Sequence, residues 1–218
     1  MLKIIFTKDG SPTLLNEQKN ITYHSKDGAF GESRYVFLEK GELFELLSQR
    51  QEVHVLEIGT GTGTNLFLSM QAAANYPDCQ FHYYGYEPYP LSTEILSEFH
   101  LHSGFPAEWV QKLADFQPVW HFGNCFVNLF QECWKPETIT PAAIDLLYLD
   151  AFAPQDEPSL WTEAALAGMM NTLAPGGILV TYSITGNTKR ILKSAGFKPE
   201  ICKGFGKKRE MLKVRKSM

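Results

Sequence analysis

Cysteine is scarce and scattered. Cys79, Cys125, Cys133 and Cys202 form no C-x-x-C pair, so neither a zinc ribbon nor a disulfide framework is indicated. Isolated thiols of this kind are by default reduced in a cytosolic protein, and a cytoplasmic location is expected. No apolar run approaches the roughly 18 residues of a membrane span, which excludes a membrane-spanning helix as an organising element. The stretch Met1 to Gly10 is too short in apolar length for a signal peptide and reads as a strand. None of the six histidines falls in an evident metal-ligand spacing, so no metal is expected. Repeats, low-complexity segments and long linkers are missing as well.

What remains is an ordinary soluble composition on 218 residues, enough for one α/β domain with a small extension. Charge is unevenly placed. Between Lys189 and Lys216 lie eleven of the 20 Lys and Arg residues, against only Glu200 and Glu210. That segment carries +9, and the overall −4 leaves −13 on the rest. A cationic stretch of this density is a candidate surface for nucleic-acid phosphates, or else a solvated face.

The stretch that organises the chain is His54-Val55-Leu56-Glu57-Ile58-Gly59-Thr60-Gly61-Thr62-Gly63-Thr64-Asn65. An apolar run, three alternate glycines and a helical pattern read as strand, tight turn and helix, the arrangement that holds nucleotide-like ligands. A dinucleotide fingerprint would need glycine at Thr64, and a phosphate-binding P-loop would need a Lys-Ser or Lys-Thr pair; neither is present. Glu-x-Gly-x-Gly-x-Gly after a strand resembles motif I of the class I S-adenosylmethionine (SAM) methyltransferases. The fold expected is therefore α/β: a Rossmann-like, doubly wound, mostly parallel sheet whose last strand is antiparallel.

Residues 1–50 read as a small β-rich extension before the methyltransferase domain of 51–218. Ile21 to Tyr23 and Tyr35 to Leu38 are expected to pair as extended segments, followed by a helix over Glu42 to Gln49. Tyr23, Ser25 and Glu32 lie near turns and are candidates for a pocket mouth. Strand 1 is expected over Val53 to Ile58 and strand 2 over Phe81 to Tyr86. Strand 2 ends in Glu87, where an acidic side chain accepts hydrogen bonds from ribose hydroxyls. A weak strand 3 over Pro118 to Phe122 places Asn124 as a candidate adenine contact. Strand 4, Ile144 to Leu149, ends in Asp150-Ala151-Phe152-Ala153-Pro154. Strand 5 is Ile178 to Tyr182, and two last strands form a hairpin around Gly204-Phe205-Gly206. Cofactor contacts are expected from Glu57, Gly59, Thr60, Gly61, Gly63, Asn65, Glu87 and Asn124.

Methyl transfer from SAM needs an acceptor lone pair held in line, and an amine must first lose its proton. A carboxylate at the end of strand 4, Asp150, is placed to orient an amine and take that proton. Phe152 and Pro154 offer an apolar wall for a flat ring. The sequence has no Pro-Cys pair, which argues against attack on a ring carbon through a cysteine adduct.

Several segments occur together in order: Tyr23-His24-Ser25, Glu32, the glycine stretch, Tyr86-Glu87-Pro88, Leu149 to Pro154, Leu160-Trp161-Thr162, Pro175-Gly176-Gly177 and Gly204 to Leu212. In this combination the chain resembles the tRNA 5-aminomethyl-2-thiouridine methyltransferases, the methyltransferase half of MnmC in a free-standing, MnmD-like form. The resemblance implies SAM-dependent methylation of the aminomethyl group of 5-aminomethyl-(2-thio)uridine at the tRNA wobble position. It implies catalysis by Asp150, SAM ribose contact by Glu87, and a flipped-out base between Tyr23 and Phe152, with Tyr182 nearby. Lys207, Lys208 and Arg209 would hold phosphates of the anticodon stem-loop. The flavin-dependent oxidase domain of bifunctional members is not seen, so no FAD is expected. A hand-off from the enzyme that makes the aminomethyl precursor would follow. Ser183-Ile184-Thr185-Gly186-Asn187 departs from the expected alanine-rich turn. A small-molecule N-methyltransferase or aminopropyltransferase would share motif I and Glu87; a non-catalytic RNA-binding module would not need Asp150.

Overall fold

A computed structural model describes residues 1–138 and 143–218. Strand β4 (Glu52–Ile58) sits at the centre of an eight-stranded sheet. It pairs in parallel with β5 (Gln80–Tyr86) on one side and β8 (Ile144–Leu149) on the other. Parallel pairing continues from β5 to β7 (Cys125–Phe130) and from β8 to β9 (Leu173–Thr181). Antiparallel strands close both flanks: β6 (Val119–Phe122) on β7, and β11 (Glu210–Arg215) on β9 with β10 (Pro199–Lys203) outside it. The chain leaves β4 in one direction and later returns on its other side, so the crevice at the carboxyl ends of β4, β5 and β8 is the switch point of a doubly wound sheet.

Both faces of the parallel strands are apolar, as strands covered on both sides require. On one face Val53, Val55, Phe81, Tyr83 and Tyr148 pack against α2 (Leu43–Gln49), α3 (Thr64–Ala73) and α5 (Ala107–Ala114). On the other, Leu56, Ile58, Leu147, Leu149 and Leu179 pack against α6 (Glu163–Thr172) and α7 (Gly186–Ser194). Helix α4 (Thr93–His100) lies beside α5. Among the described residues no helix is long and apolar enough to cross a membrane.

The N-terminal strands are β1 (Leu2–Phe6), β2 (Pro12–Asn16) and β3 (Ile21–Thr22), an antiparallel meander. Tyr35 to Leu38 is not extended: α1 (Ala29–Ser33) runs on into a π-helical turn, Arg34–Glu39. Val36, Phe37 and Leu38 are all buried there, with Phe37 5.2 Å from the Tyr148 ring on the sheet. A short apolar run buried on every side carries no period, so strand and helix look alike in sequence. The second difference concerns strand 3. The expected strand is β6, an antiparallel edge, and the parallel strand is β7, reached through the two-residue hairpin Gly123-Asn124.

Candidate active site

Three glycines with positive φ (Gly59 +94°, Gly61 +50°, Gly63 +73°) turn the chain from β4 into α3. Two of them are required by close packing. A Cβ on Gly59 would lie 2.8 Å from the Asp150 carbonyl oxygen, and one on Gly63 would lie 2.3 Å from a Leu113 methyl. Above Gly61 there is open space, with only the Tyr23 ring at 3.7 Å. Gly59 and Thr60 donate their N–H groups to the Tyr86 carbonyl, and His100 Nε2 lies 2.8 Å from the Thr62 carbonyl oxygen. Glu87 takes the Gly61 N–H on Oε2 (2.9 Å) and the Tyr89 N–H on Oε1 (3.0 Å). Each carboxylate oxygen keeps a further lone pair for a hydroxyl donor.

Asp150 follows β8 directly and is tied to the turn, its N–H donating to the Ile58 carbonyl. Its Oδ2 accepts from Asn65 Nδ2 at 2.7 Å. Burial, then the Glu32 charge, push its pKa well above the usual carboxylate range, against the Asn65 hydrogen bond and Lys208. The Tyr23 and Phe152 rings meet edge to face at 5.4 Å. Tyr182 donates to the Ala151 carbonyl at 3.0 Å, and burial followed by the Asp150 charge raises its phenol pKa. Glu32 is buried and receives Lys208 Nζ at 2.6 Å and the Ser25 N–H at 2.7 Å; the same Nζ stands 4.2 Å over the Tyr182 ring.

These groups surround a cavity of about 470 Å³, within the range of about 300–1,000 Å³ of small-molecule sites. Tyr23, Gly59, Thr60, Gly61, Glu87, Asp150, Phe152 and Tyr182 line it together. Glu57 and Asn65 stand one layer behind, and Gly63 serves helix packing. Ser25, Glu32 and Pro154 lie outside the lining, as do Lys207, Lys208 and Arg209; Lys208 Nζ links Glu32 to the ring of Tyr182, which does line it. Lys208 is not a free phosphate ligand: its ammonium is spent on Glu32. Lys207 and Arg209 remain exposed beside it.

Asn124 is misplaced as an adenine contact. It occupies the β6–β7 hairpin, at the edge where β5 begins, opposite the glycine turn. Its side-chain amide nitrogen donates toward the Ala73, Tyr76 and Cys79 carbonyls behind α3. The corresponding carboxyl-end position follows β7, where Cys133 and Trp134 line the cavity. Trp134 Nε1 is buried without a partner. The sequence-based expectations also missed Tyr89, an 80 % exposed ring at the rim, two residues after Glu87.

The absence of a histidine cluster needs amending too. Glu52, His54 and His82 offer ligand atoms within 4.8 Å of one another, because His54 and His82 are register partners on β4 and β5. Their rings stack nearly parallel, 9° apart with centroids at 4.6 Å. No single ion can lie in both ring planes in that arrangement.

Comparison with known proteins agrees with this geometry. Two curated relatives, the tRNA 5-methylaminomethyl-2-thiouridine biosynthesis bifunctional proteins MnmC of Cupriavidus metallidurans and Aromatoleum aromaticum, are each 29% identical over 225 residues. The matches cover 97% and 98% of this chain but 33% and 35% of the relatives, so the chain spans about a third of their length. The crystal structure of MnmC2 from Aquifex aeolicus superposes with a TM-score of 0.79 at 23% identity, covering 98% of this chain and 70% of that one, and shows the same fold. The profile of an S-adenosyl-L-methionine-dependent methyltransferase family matches residues 105–217, just over half of the sequence. With the glycine turn, Glu87 and Asp150 converging on one cavity, the chain belongs to that family of S-adenosyl-L-methionine-dependent methyltransferases.

Proposed function

We propose that the protein methylates the exocyclic primary amine of 5-aminomethyl-(2-thio)uridine at the wobble position of tRNA. The observation that carries this reading is Asp150: a carboxylate of raised pKa, facing the cavity beside the Tyr23 and Phe152 rings and adjoining the glycine turn. The likeness to the MnmC relatives supplies the acceptor.

The cavity suits SAM on its own evidence. Gly61 leaves room at the turn for close approach, and Glu87 keeps lone pairs for the ribose hydroxyls. When bound, SAM supplies an electrophilic sulfonium methyl. Asp150 takes one proton from the acceptor ammonium and leaves a lone pair on nitrogen. That lone pair would then take the methyl which bound SAM supplies, its sulfur being the leaving group. The secondary amine departs protonated, and Asp150 returns its proton to solvent. A carboxyl with raised pKa suits this exchange, because its basicity lies closer to that of the amine. Tyr23 and Phe152 hold the flat base, which must leave its stack to reach an enclosed site.

Lys207 and Arg209, on the β10–β11 turn beside the cavity, contact phosphates of the anticodon stem-loop and set register rather than sequence. The protein works in the cytoplasm, receiving its substrate from the enzyme that installs the aminomethyl group.

The test uses labelled SAM and two tRNA pools, with and without 5-aminomethyl-uridine at the wobble position. Label in the first pool alone is expected. Label in neither, with SAM still bound, would overturn the tRNA reading in favour of a small-molecule amine.

A further inference from the structure

We infer that Asn65 and Glu57 are positioning residues for Asp150: the Asn65 amide, anchored from behind by Glu57, fixes the Asp150 carboxylate with one oxygen toward the acceptor. The inference rests on Asp150 standing beside the amine, as proposed above.

A side-chain amide has two N–H protons, and Asn65 gives both to carboxylates. One goes to Glu57 Oε1 at 2.6 Å and the other to Asp150 Oδ2 at 2.7 Å. Asn65 is 2 % exposed and Glu57 is 0 % exposed; neither lines the cavity, so neither is placed as a direct cofactor contact. The Asn65 carbonyl oxygen is buried with no partner. Leaving a buried acceptor unmade is costly, so the two carboxylates, not the acceptor, fix how this amide is turned. Glu57 is held in its turn by the Tyr83 hydroxyl, which donates to Oε2. The chain Tyr83–Glu57–Asn65–Asp150 thus runs from the strand core to the cavity. It engages Oδ2, while the other Asp150 oxygen has no hydrogen-bond partner among the described residues.

The charged groups around Asp150 determine what each replacement does. Glu32 on α1 disfavours its ionised form; Asn65 on α3 and Lys208 on the β10–β11 turn favour it, while burial and then the Asp150 charge push the Glu57 carboxyl on β4 well above the usual range. Tyr182, after β9, is neutral with a raised pKa, and Glu87 at the end of β5 acts on Glu57. Replacing Asn65 with Leu removes a hydrogen bond to the carboxylate. The acid limb of the rate profile should move to higher pH, and the freed side chain should cost kcat roughly ten- to a hundredfold. Because Glu57 favours its neutral form, Glu57→Gln keeps an acceptor for the Asn65 amide and should leave the limb and kcat near wild type, whereas Glu57→Leu cuts the anchor and should act in the direction of Asn65→Leu. Rescue by the conservative variant is not what a generally loosened fold produces.

The experiment measures kcat and KM against pH, together with SAM affinity by calorimetry, for the wild type, Asn65→Leu, Glu57→Leu, Glu57→Gln and Asp150→Ala. Expected are an acid limb moved to higher pH and a reduced kcat in Asn65→Leu and Glu57→Leu, both close to wild type in Glu57→Gln, with SAM affinity near wild type throughout. An unshifted limb with normal kcat in Asn65→Leu, or a kcat loss matched by lost SAM binding, would overturn the inference. Should Asn65→Leu fail to fold, the Glu57 pair decides, and a Glu57→Leu that behaves like the wild type, or a Glu57→Gln as impaired as Glu57→Leu, counts against it. Normal turnover in Asp150→Ala would instead remove the reading of Asp150 itself, so the two failures are told apart.

Discussion

Replacing Asp150 with Ala takes away the proposed acid/base group and leaves the glycine turn and Glu87 in place. Turnover should fall roughly 100-fold or more while SAM binding persists, as single-turnover kinetics and calorimetry would show. Glu87→Ala should do the reverse to binding. It loses acceptors for the ribose hydroxyls and for the Gly61 and Tyr89 N–H groups, and hydrogen bonds to a charged group contribute about 1.5–3 kcal/mol, so SAM affinity should drop at least tenfold. Lys208→Ala should act on stability. The Glu32 side chain is 3% exposed and would keep only the Ser25 N–H. A loss of about 1–3 kcal/mol follows from the unmatched carboxylate, read as a lower midpoint in thermal unfolding. At this scale the sequence told most about position where the signal is local: Glu87 and Asp150, at the ends of their strands, both line the cavity. It told least at Lys208, whose charge suggested phosphate, whereas its partner Glu32 lies 176 positions away. No spacing rule reveals such a pairing.

The turn between β4 and α3 makes its own predictions. Gly59→Ala sets a Cβ against the Asp150 backbone, which cannot rotate aside, and should lower the unfolding midpoint. Gly61→Ala meets open space, so the fold should survive while the new methyl intrudes on the cavity and weakens SAM binding. His100 anchors the same turn from α4. Burial pushes its pKa down to about 4, and that of His24 likewise to about 4. The unfolded chain takes up these protons near pH 6.5 and the folded chain does not, so stability is lost as pH falls from 6.5 toward 4. The loss is at most about 1.4 kcal/mol per pH unit for each histidine. Denaturant midpoints across that window should flatten in His24→Gln/His100→Gln. Elements with one clear period were legible: β4, α3, β5, β8 and the final hairpin stand within about two residues of expectation. Strand β7 was missed because Asn128 interrupts its apolar pattern. The signal that would have found it is Gly123-Asn124, a two-residue hairpin loop between two short apolar runs. Mistaking the edge strand for the parallel one is what put Asn124 forward as an adenine contact.

Across the whole molecule the charge divides between two tasks. Part of the cationic segment is internal mortar: Lys213 and Arg215 bind Glu42, as Lys208 binds Glu32. Lys207 and Arg209 stay exposed. Lys207→Ala/Arg209→Ala should therefore weaken tRNA binding and flatten its dependence on salt without lowering stability; an unchanged slope would make the turn a solvated face. The α/β class and the switch-point site were visible in the sequence because strand–turn–helix order is local. The join between the N-terminal segment and the last hairpin was not, since it links distant parts of the chain. Lys207 N–H donates to Asp27, Tyr35 OH to the Lys203 carbonyl, and Lys208 Nζ to Glu32. This join also acts as a timer. At the roughly 5–20 residues per second of synthesis, Glu32 is made some ten to thirty-five seconds before Lys208. The N-terminal segment therefore cannot be fastened while the ribosome is still adding the middle of the chain, and this join forms only once the final strands are laid down.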